Sequence, residues 1–504
     1  MQSAEGSPRA WLTALSLIAF VGAALVALGP LEGIPHVTDE VSYTLQARLF
    51  ASGLRMGPAA DNASMLAYPF WQTGPASYSV FPPGWPLLLA VGEKLGAGWL
   101  VNPLLGASLP FLTWRLARHW TSPRAALLAA ATIAVSPGVL ILAGSRMSHT
   151  SVLVALAAAT VLALEAPRAW RYAVCGLAVA YVVVARPFDA AIVGGPILLL
   201  AIHRGRTQAW PVVIAPAVAT ALVLADNHAL TGHALTFPVD VFLDGWSIEG
   251  DRPLGCNSLG FGEAIGCVPT YGTWGHTPAK AANIAWDSLL RMDRLLLGVQ
   301  GSSLIVLAGL WLVRKRPPLL LAVIPLVVLG YSFYWSLGAA YGARFWHALY
   351  LVLPLLIGVA LDTLLKRWAW LPLAVLPLLG GSYIALDLAD SYWCVDGSLL
   401  DQVEAEGITE GVIFMATEGE VQLREWPRLG VTSDHHFACS AMLEAGDGLL
   451  LMDPTSTTDG IQPRHALPDR DTARSYLEAL HPDSPAWIST VDLATGQRRI
   501  ERLR

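Results

Sequence analysis

Residues 11–28 read WLTALSLIAFVGAALVAL, a run that contains no charged side chain. A helix needs about 20 apolar residues to cross a hydrocarbon layer of about 30 Å. The run therefore predicts a transmembrane helix close to the start of the chain. A cleaved signal peptide is the alternative, with small residues around Ala27 and Gly29 as the cleavage site. Because Pro30 follows that site directly, an uncleaved span is favoured.

Apolar runs of similar length recur along the chain as far as Leu388. Of the 504 residues, 54% are hydrophobic and only 14% are charged, against roughly 25% charged in soluble domains. A single water-soluble domain is therefore excluded. We predict an all-α polytopic membrane protein with about 11 transmembrane helices. The further predicted spans are 98–116, 124–143, 149–164, 172–187, 189–203, 209–225, 296–313, 318–337, 345–363 and 369–388.

Lys and Arg predict the orientation, because short cytoplasmic loops retain them. Five clusters of these residues fall in alternate loops and therefore on one face. With the N-terminus cytoplasmic, the long connections 30–97 and 226–295 and the C-terminal tail lie outside, and a plasma membrane is the expected location. The clusters are Arg115, Arg118 and Arg124; Arg168 and Arg171; Arg204 and Arg206; Arg314, Lys315 and Arg316; and Lys366 and Arg367.

Charge divides the chain unevenly. Residues 1–390 carry 23 Lys and Arg against 19 Asp and Glu, whereas residues 391–504 carry 9 against 19. We predict a transmembrane domain over 1–390 and a small exterior α/β domain over 391–504. Nucleic acid is excluded as a partner, because no concentrated basic face is present. The tail is predicted to have helices at 399–406 and 472–480 and apolar, strand-like runs at 412–415, 449–452 and 487–491.

The cysteines agree with this topology. Cys256 and Cys267 share the second outer loop, Cys394 and Cys439 share the tail, and Cys175 stands alone in a span. An oxidising compartment favours two disulfides over five free thiols. The chain has no CxxC or HxxxH spacing for a metal site.

The segment His36-Val37-Thr38-Asp39-Glu40-Val41 places two carboxylates just beyond the first span. It has a structural interpretation, in which Thr38 caps a helix and Val41, Leu45 and Leu49 form its apolar stripe. It also has a functional one. An interfacial helix would then hold Asp39 as a general base at the mouth of a cavity in the membrane.

An outer Asp-Glu pair followed by an interfacial helix resembles the GT-C superfamily of membrane glycosyltransferases. The similarity extends to the protein O-mannosyltransferase and aminoarabinose transferase branches and their bacterial relatives, and it covers roughly residues 10–360. The other similar segments are Phe81-Pro82-Pro83-Gly84-Trp85-Pro86, Ser145-Arg146-Met147-Ser148-His149-Thr150, Ala185-Arg186-Pro187-Phe188-Asp189, Leu259-Gly260-Phe261-Gly262, His276-Thr277-Pro278 and Tyr341-Gly342-Ala343-Arg344.

The resemblance implies an inverting transfer of a hexose or pentose from a polyprenyl-phosphate donor to a lipid, polysaccharide or protein hydroxyl on the outer face. Asp39 would be the base and Glu40 would assist it. Related enzymes often have Lys where this chain has Phe81, so Lys280 is a candidate replacement. A divalent metal is possible, but its ligands cannot be placed. The remaining implied contacts are Arg344, Arg146 and Arg186 to the donor phosphate, and His149, His276 and Tyr341 to the substrate.

Several of these residues also have structural interpretations. Arg186 could pair with Asp189, and Arg146 could extend toward lipid headgroups. His276-Thr277-Pro278 has the pattern of an ordinary helix start, with a cap followed by proline. A transporter or lipid flippase is the rival function for the whole chain, and inverted repeats of broken helices would identify it. A scaffold without activity, binding partners through its acidic tail, is a third interpretation.

Overall fold

The structure is a computed structural model. It describes residues 8–59, 70–165, 167–245, 255–315, 318–338, 340–389, 395–418, 451–452, 454–456, 461–465, 470–492 and 497–504. Cys394 and Cys439, which the sequence predicts to pair, lie outside these ranges.

Helices dominate the described residues. The α-helices are α1 (Pro8–Leu28), α2 (Thr38–Ala51), α3 (Gly84–Lys94), α4 (Val101–Gly106), α5 (Leu109–Ala117), α6 (Pro123–Val135), α7 (Pro137–Gly144), α8 (His149–Leu164), α9 (Ala169–Ala185), α10 (Pro187–Asp189), α11 (Gly195–Gly205), α12 (Pro211–Thr231), α13 (Pro238–Gly245), α14 (Pro278–Leu297), α15 (Ser302–Val313), α16 (Val323–Ser332), α17 (Leu353–Leu364), α18 (Leu371–Ala389), α19 (Ser398–Ala405) and α20 (Arg470–Leu480). Further 3₁₀ segments are Gly98–Leu100, Arg206–Gln208, Leu319–Ala322, Arg344–Leu351 and Lys366–Trp368, and residues 190–194 form a π-helical turn between α10 and α11.

The chain folds into two compact units. The helical unit contains 8–26 and 102–386. The mixed unit contains 27–101 together with the described residues from 387 onward, so the first predicted outer loop groups with the tail. A domain boundary at 390 and 391 stays a prediction.

Three helices in the described residues are long and apolar enough to cross a membrane: Pro8–Leu28, Pro187–Gln208 and Pro211–Thr231. Three bent pairs pass the same test together: α6 with α7 (50°), α14 with α15 (91°), and Arg344–Leu351 with α17 (51°). In two of these pairs, a proline lies in the first turn of the second segment. In the pair α14 and α15, glycines lie at both ends of the break. Helices thus occupy the predicted apolar runs, but a count of about 11 spans is not confirmed.

Close helix crossings in the helical unit depend on small residues. At Gly358 in α17, an added Cβ would overlap the carbonyl oxygen of Ala125 in α6. Backbones can approach this closely only where one of the facing residues lacks a side chain. Gly195 in α11 is different, since the nearest atom to its added Cβ is 3.9 Å away.

We therefore expect Gly358→Ala to destabilise the protein and Gly195→Ala to leave it unchanged or to stabilise it, since alanine favours a helix by about 1 kcal/mol over glycine. Thermal unfolding of the two purified variants in the same detergent checks this pair. Equal unfolding temperatures would contradict the close crossing of α6 and α17.

The mixed unit contains the strands. Near α2, Trp71–Gln72 (β1) pairs antiparallel with Tyr78–Ser79 (β2). In the tail, Gly411–Glu418 (β3), Ile461–His465 (β4), Ala486–Asp492 (β5) and Arg498–Arg502 (β6) form a sheet in the order β4-β3-β5-β6. The β3 strand runs parallel to both neighbours, and β6 is antiparallel to β5. The predicted small α/β tail is present, and residues 451–452 are not in a strand.

Candidate active site

The acidic pair lies in the first turn of α2, and its two carboxylates have different surroundings. Glu40 is 1% exposed, and its Oε2 accepts hydrogen bonds from the backbone N–H groups of His36 at 3.0 Å and Val37 at 3.1 Å. This carboxylate satisfies backbone donors just before the helix. Asp39 is half-buried in the same turn, where the helix N-terminus favours negative charge. Glu40 is thus committed to the backbone, whereas Asp39 is the partly exposed carboxylate of the pair.

The start of α2 differs from the prediction in one respect. Val37 precedes the helix in extended backbone (φ −107°, ψ 145°), and Thr38 is its first residue. The prediction that Thr38 caps the helix is therefore wrong. Since valine has no side-chain acceptor, Glu40 supplies one from within the first turn. His36 holds the segment that leads into α2, because its Nε2 donates to the carbonyl of Leu31 at 3.1 Å.

Protein covers the apolar stripe of α2. Ten of its 14 residues are buried. Arg48 donates from its guanidinium to the carbonyl of Met452 at 3.1 Å and lies 3.5 Å from the Glu93 carboxylate. The sequence predicted a helix in the membrane interface, and an amphipathic pattern does not distinguish lipid from protein as the covering surface. The stripe, Val41, Leu45 and Leu49, packs with Trp71, Val395 and Met452.

The commitment of Glu40 predicts a stability effect. Glu40→Ala would leave two buried N–H groups without their charged acceptor, at about 1–3 kcal/mol each. We expect a lower thermal unfolding temperature for Glu40→Ala and a smaller loss for Glu40→Gln, which keeps an oxygen acceptor. Glu404→Ala, on an exposed position of α19 in the same unit, is the control. Equal stability of Glu40→Ala and the control would contradict the role of Glu40.

A buried polar cluster lies in the helical unit around α10 and α16. Arg186 forms an ion pair with Asp189, which confirms the structural alternative considered for it. The Tyr331 hydroxyl donates to Asp189 Oδ1 at 3.0 Å, and the Arg186 guanidinium donates to the Tyr331 oxygen at 3.1 Å. Asp189 is fully buried, so the three groups compensate one another away from water.

Two histidines extend this cluster. His149 begins α8, and His347 lies in the 3₁₀ segment; each is 1% exposed, and their rings meet edge to face at 4.9 Å. His347 Nδ1 donates to the carbonyl of Arg344 at 3.1 Å, so Nε2 carries the lone pair. Within the described structure, that Nε2 atom and both ring nitrogens of His149 are buried without a hydrogen-bond partner. The charges of Arg186 and Arg344 act on the His149 ring.

Arg344 contacts Met147, the residue that follows Arg146 in the chain. The Arg344 guanidinium lies 3.9 Å from the Met147 sulfur and 5.3 Å from the centre of the Phe345 ring. Asn102 holds this turn, because its amide donates to the carbonyls of Ser145 at 2.7 Å and Met147 at 2.8 Å. Both arginines are half-buried. A guanidinium group at such a turn can bind an anion through paired, charge-assisted hydrogen bonds.

The backbone before Arg344 is unusual. Tyr341 is 1% exposed and adopts φ 56°, and Gly342 adopts φ 82°. A bulky residue in the left-handed region costs roughly 1–3 kcal/mol, and such residues concentrate at functional sites. A Cβ at position 342 would also press on the end of the Leu295 side chain, which would have to move. The two turns direct the chain into the 3₁₀ segment that carries Arg344 and His347.

Two of the predicted motifs meet between α13 and α14. Gly262 and His276 exchange backbone hydrogen bonds of 2.8 Å, the His276 ring stacks on Phe261 at 5.3 Å, and its Nε2 contacts the Ser332 carbonyl at 3.0 Å. Thr277 caps α14 and Pro278 begins it, as predicted. The Lys280 ammonium donates to three backbone carbonyls, those of residues 273–275. In this structure it closes that turn.

Cys256 and Cys267 form a disulfide, and Cys175 is a buried free thiol. Among the described residues, the one grouping with metal-ligand spacing is Asp244 with these two half-cystines. Disulfide sulfurs are not thiolate ligands, and the Asp244 carboxylate accepts from the N–H groups of Gly255 and Cys256. This grouping does not fit a metal ion.

Sequence reasoning missed His347, Tyr331 and Asn102. A histidine inside an apolar run is a signal for function, because polar groups within a membrane are costly. His347 could have been found in this way. Tyr331 and Asn102 resemble ordinary interfacial or helix-end residues in sequence, and only their tertiary contacts distinguish them.

No family model matches the sequence, and no curated protein sequence matches it. Two solved structures of ArnT from Cupriavidus metallidurans are similar in fold. For ArnT bound to undecaprenyl phosphate, the TM-score is 0.54 at 13% identity, covering 96% of this chain and 94% of that one. For the apo state, the TM-score is 0.52 at 12% identity, covering 96% and 93%. The chain therefore shares the fold of ArnT, an aminoarabinose transferase, and this confirms at the level of fold the resemblance that its motifs predicted.

Proposed function

We propose that the protein is an inverting glycosyltransferase that moves a sugar from a polyprenyl-phosphate donor to an acceptor hydroxyl on the outer face of the membrane. The observation that carries this proposal is the division of roles within the acidic pair. Glu40 holds the backbone at the start of α2, and Asp39 occupies the neighbouring position of the same turn with a partly exposed carboxylate.

In the proposed reaction, the acceptor oxygen attacks the anomeric carbon as the bond from that carbon to the phosphate oxygen breaks. Asp39 takes the hydroxyl proton. The polyprenyl phosphate leaves with the bonding electron pair, and the configuration at the anomeric carbon inverts. A phosphate is a good leaving group, so one carboxylate base suffices, unlike the two carboxyl groups of glycoside hydrolases.

The departing phosphate gains negative charge, which cations must stabilise. We assign this contact to Arg344, which contacts Met147, and to Arg146, which precedes Met147 in the chain. Arg186 is paired with Asp189 and Tyr331. Its charge acts on the neighbouring His347 ring. His149 and Tyr341 are proposed to line the donor site, and His276 to hold the loop 226–295 beside it.

The ligand of one similar structure supports this proposal. The ArnT structure was solved with undecaprenyl phosphate, a polyprenyl phosphate.

The experiment distinguishes transfer from transport. Proteoliposomes containing the protein are supplied with polyprenyl-phosphate sugars and envelope acceptors from the host, and the lipids are analysed by mass spectrometry. A glycosyltransferase converts the donor to free polyprenyl phosphate and adds the sugar mass to an acceptor. A flippase moves the donor between leaflets with its sugar still attached, and that result would refute the proposal.

A further inference from the structure

An apolar cavity of about 320 Å³ lies in the helical unit, away from the residues assigned above. It is bounded by α8, α11 and the segment 319–326. Leu199 and Leu319 both line it and are 68% and 63% exposed. Large exposed leucines at the edge of an apolar cavity indicate that it opens toward hydrocarbon. The other walls include Thr160, Leu200, Leu320 and Val323, with His203 at the end where α11 finishes.

Positive charge concentrates at that end. The Arg204 guanidinium donates to the carbonyl of Leu164, the last residue of α8, at 3.1 Å. Glu165 follows and pairs with both Arg115 and Arg171. Three arginines therefore contact the end of α8 and the residue after it, where there is one carboxylate, and positive charge is in excess.

The charge at this end also acts on His119, beside the cavity. Trp120 lines the cavity, and its ring lies 5.8 Å from that of His119. Partial burial, followed by the charges of Arg204 and Arg115, lowers the pKa of His119 from its ordinary value. The arginine field thus reaches the residues at the cavity edge.

The cavity is separate from the proposed donor site. Helix α8 begins at His149, in the polar cluster, and ends at Leu164, beside the arginines. Its 16 residues span about 24 Å at 1.5 Å per residue. The positive-inside rule also predicts that Arg115, Arg171 and Arg204 are cytoplasmic, opposite the proposed reaction.

We propose that this cavity binds one acyl chain of an anionic phospholipid from the cytoplasmic leaflet, with the lipid phosphate at the arginine cluster. The apolar walls and lateral opening fit the chain, and the excess positive charge selects the headgroup. Basic residues near a membrane surface attract anionic lipids. We therefore expect this cluster to favour an anionic phospholipid over an uncharged one by about tenfold.

Native mass spectrometry of the full-length protein tests the proposal, with phosphatidylglycerol and phosphatidylcholine of identical chains added in equal amounts. We expect about tenfold more phosphatidylglycerol adduct. Arg204→Gln should reduce that preference, and Leu200→Trp, which fills the cavity, should reduce retention of both lipids. Arg367→Gln removes a charge from an exposed position in a different predicted cytoplasmic loop and should change neither.

Equal retention of the two lipids by the unaltered protein would overturn the proposal. So would an unchanged preference in Arg204→Gln, which covers the case in which Leu200→Trp fails to fold. A co-purified adduct with the mass of a polyprenyl phosphate that added phosphatidylglycerol cannot displace would assign the cavity to a donor tail instead.

Discussion

Asp39→Asn is expected to lower the rate of sugar transfer by about 10²–10⁴, the usual contribution of a positioned general base. The amide has nearly the same shape as the carboxylate, but it cannot take the proton from the acceptor hydroxyl at neutral pH. Stability should change little, because Glu40 satisfies the backbone N–H groups of His36 and Val37 before α2. Turnover of the donor by purified protein, with thermal unfolding measured on the same sample, checks both parts.

Asp401→Asn is the matched control for this variant. It removes one carboxylate from an exposed position of α19, in the same unit, and should keep full activity. Retained turnover by a folded Asp39→Asn protein would eliminate Asp39 as the base. A loss of activity accompanied by unfolding would instead assign Asp39 a structural role, and that result also contradicts the assignment.

Arg344→Gln is expected to lower kcat/KM for the donor by roughly a hundredfold or more. A charge-assisted hydrogen bond contributes about 1.5–3 kcal/mol, and a guanidinium can make two to one phosphate. Arg344→Lys keeps the charge but loses the paired geometry, so its loss should be intermediate. Initial rates over a range of donor concentrations measure these effects.

The control for Arg344 is Arg367→Gln, at an exposed position away from the polar cluster. Its rate should be that of the unaltered protein. If Arg344→Gln kept the normal kcat/KM while folded, the donor phosphate would have to be held elsewhere. An equal loss for the lysine and glutamine variants would indicate that the paired geometry, and not charge alone, determines binding.

Much of the helical fold follows from sequence. The predicted run 149–164 coincides with α8, and Thr277-Pro278 begins α14 as predicted. Bends were missed because an apolar run does not show where its axis changes direction; α6 and α7 read as one span across Ser136 and Pro137. Strands β4 and β6 were missed because Arg and His interrupt their apolar patterns.

The site was predicted in part. Asp39, Glu40 and the arginines were identified from their motifs. The hydrogen bonds of Glu40 and Lys280 to backbone groups were not, because sequence does not show where those groups lie. The partner of the α2 stripe was also hidden. Val395 and Met452 are distant in sequence, and nothing in the stripe itself distinguishes them from lipid.

The protein is proposed to transfer a sugar from a polyprenyl-phosphate donor to an acceptor. Mass spectrometry of lipids and envelope glycans from cells with and without the protein tests it most directly. We expect a polyprenyl-phosphate sugar to accumulate in cells lacking the protein, and the same sugar to disappear from one envelope acceptor. Identical donor lipids and identical envelope glycans in the two kinds of cell would contradict it.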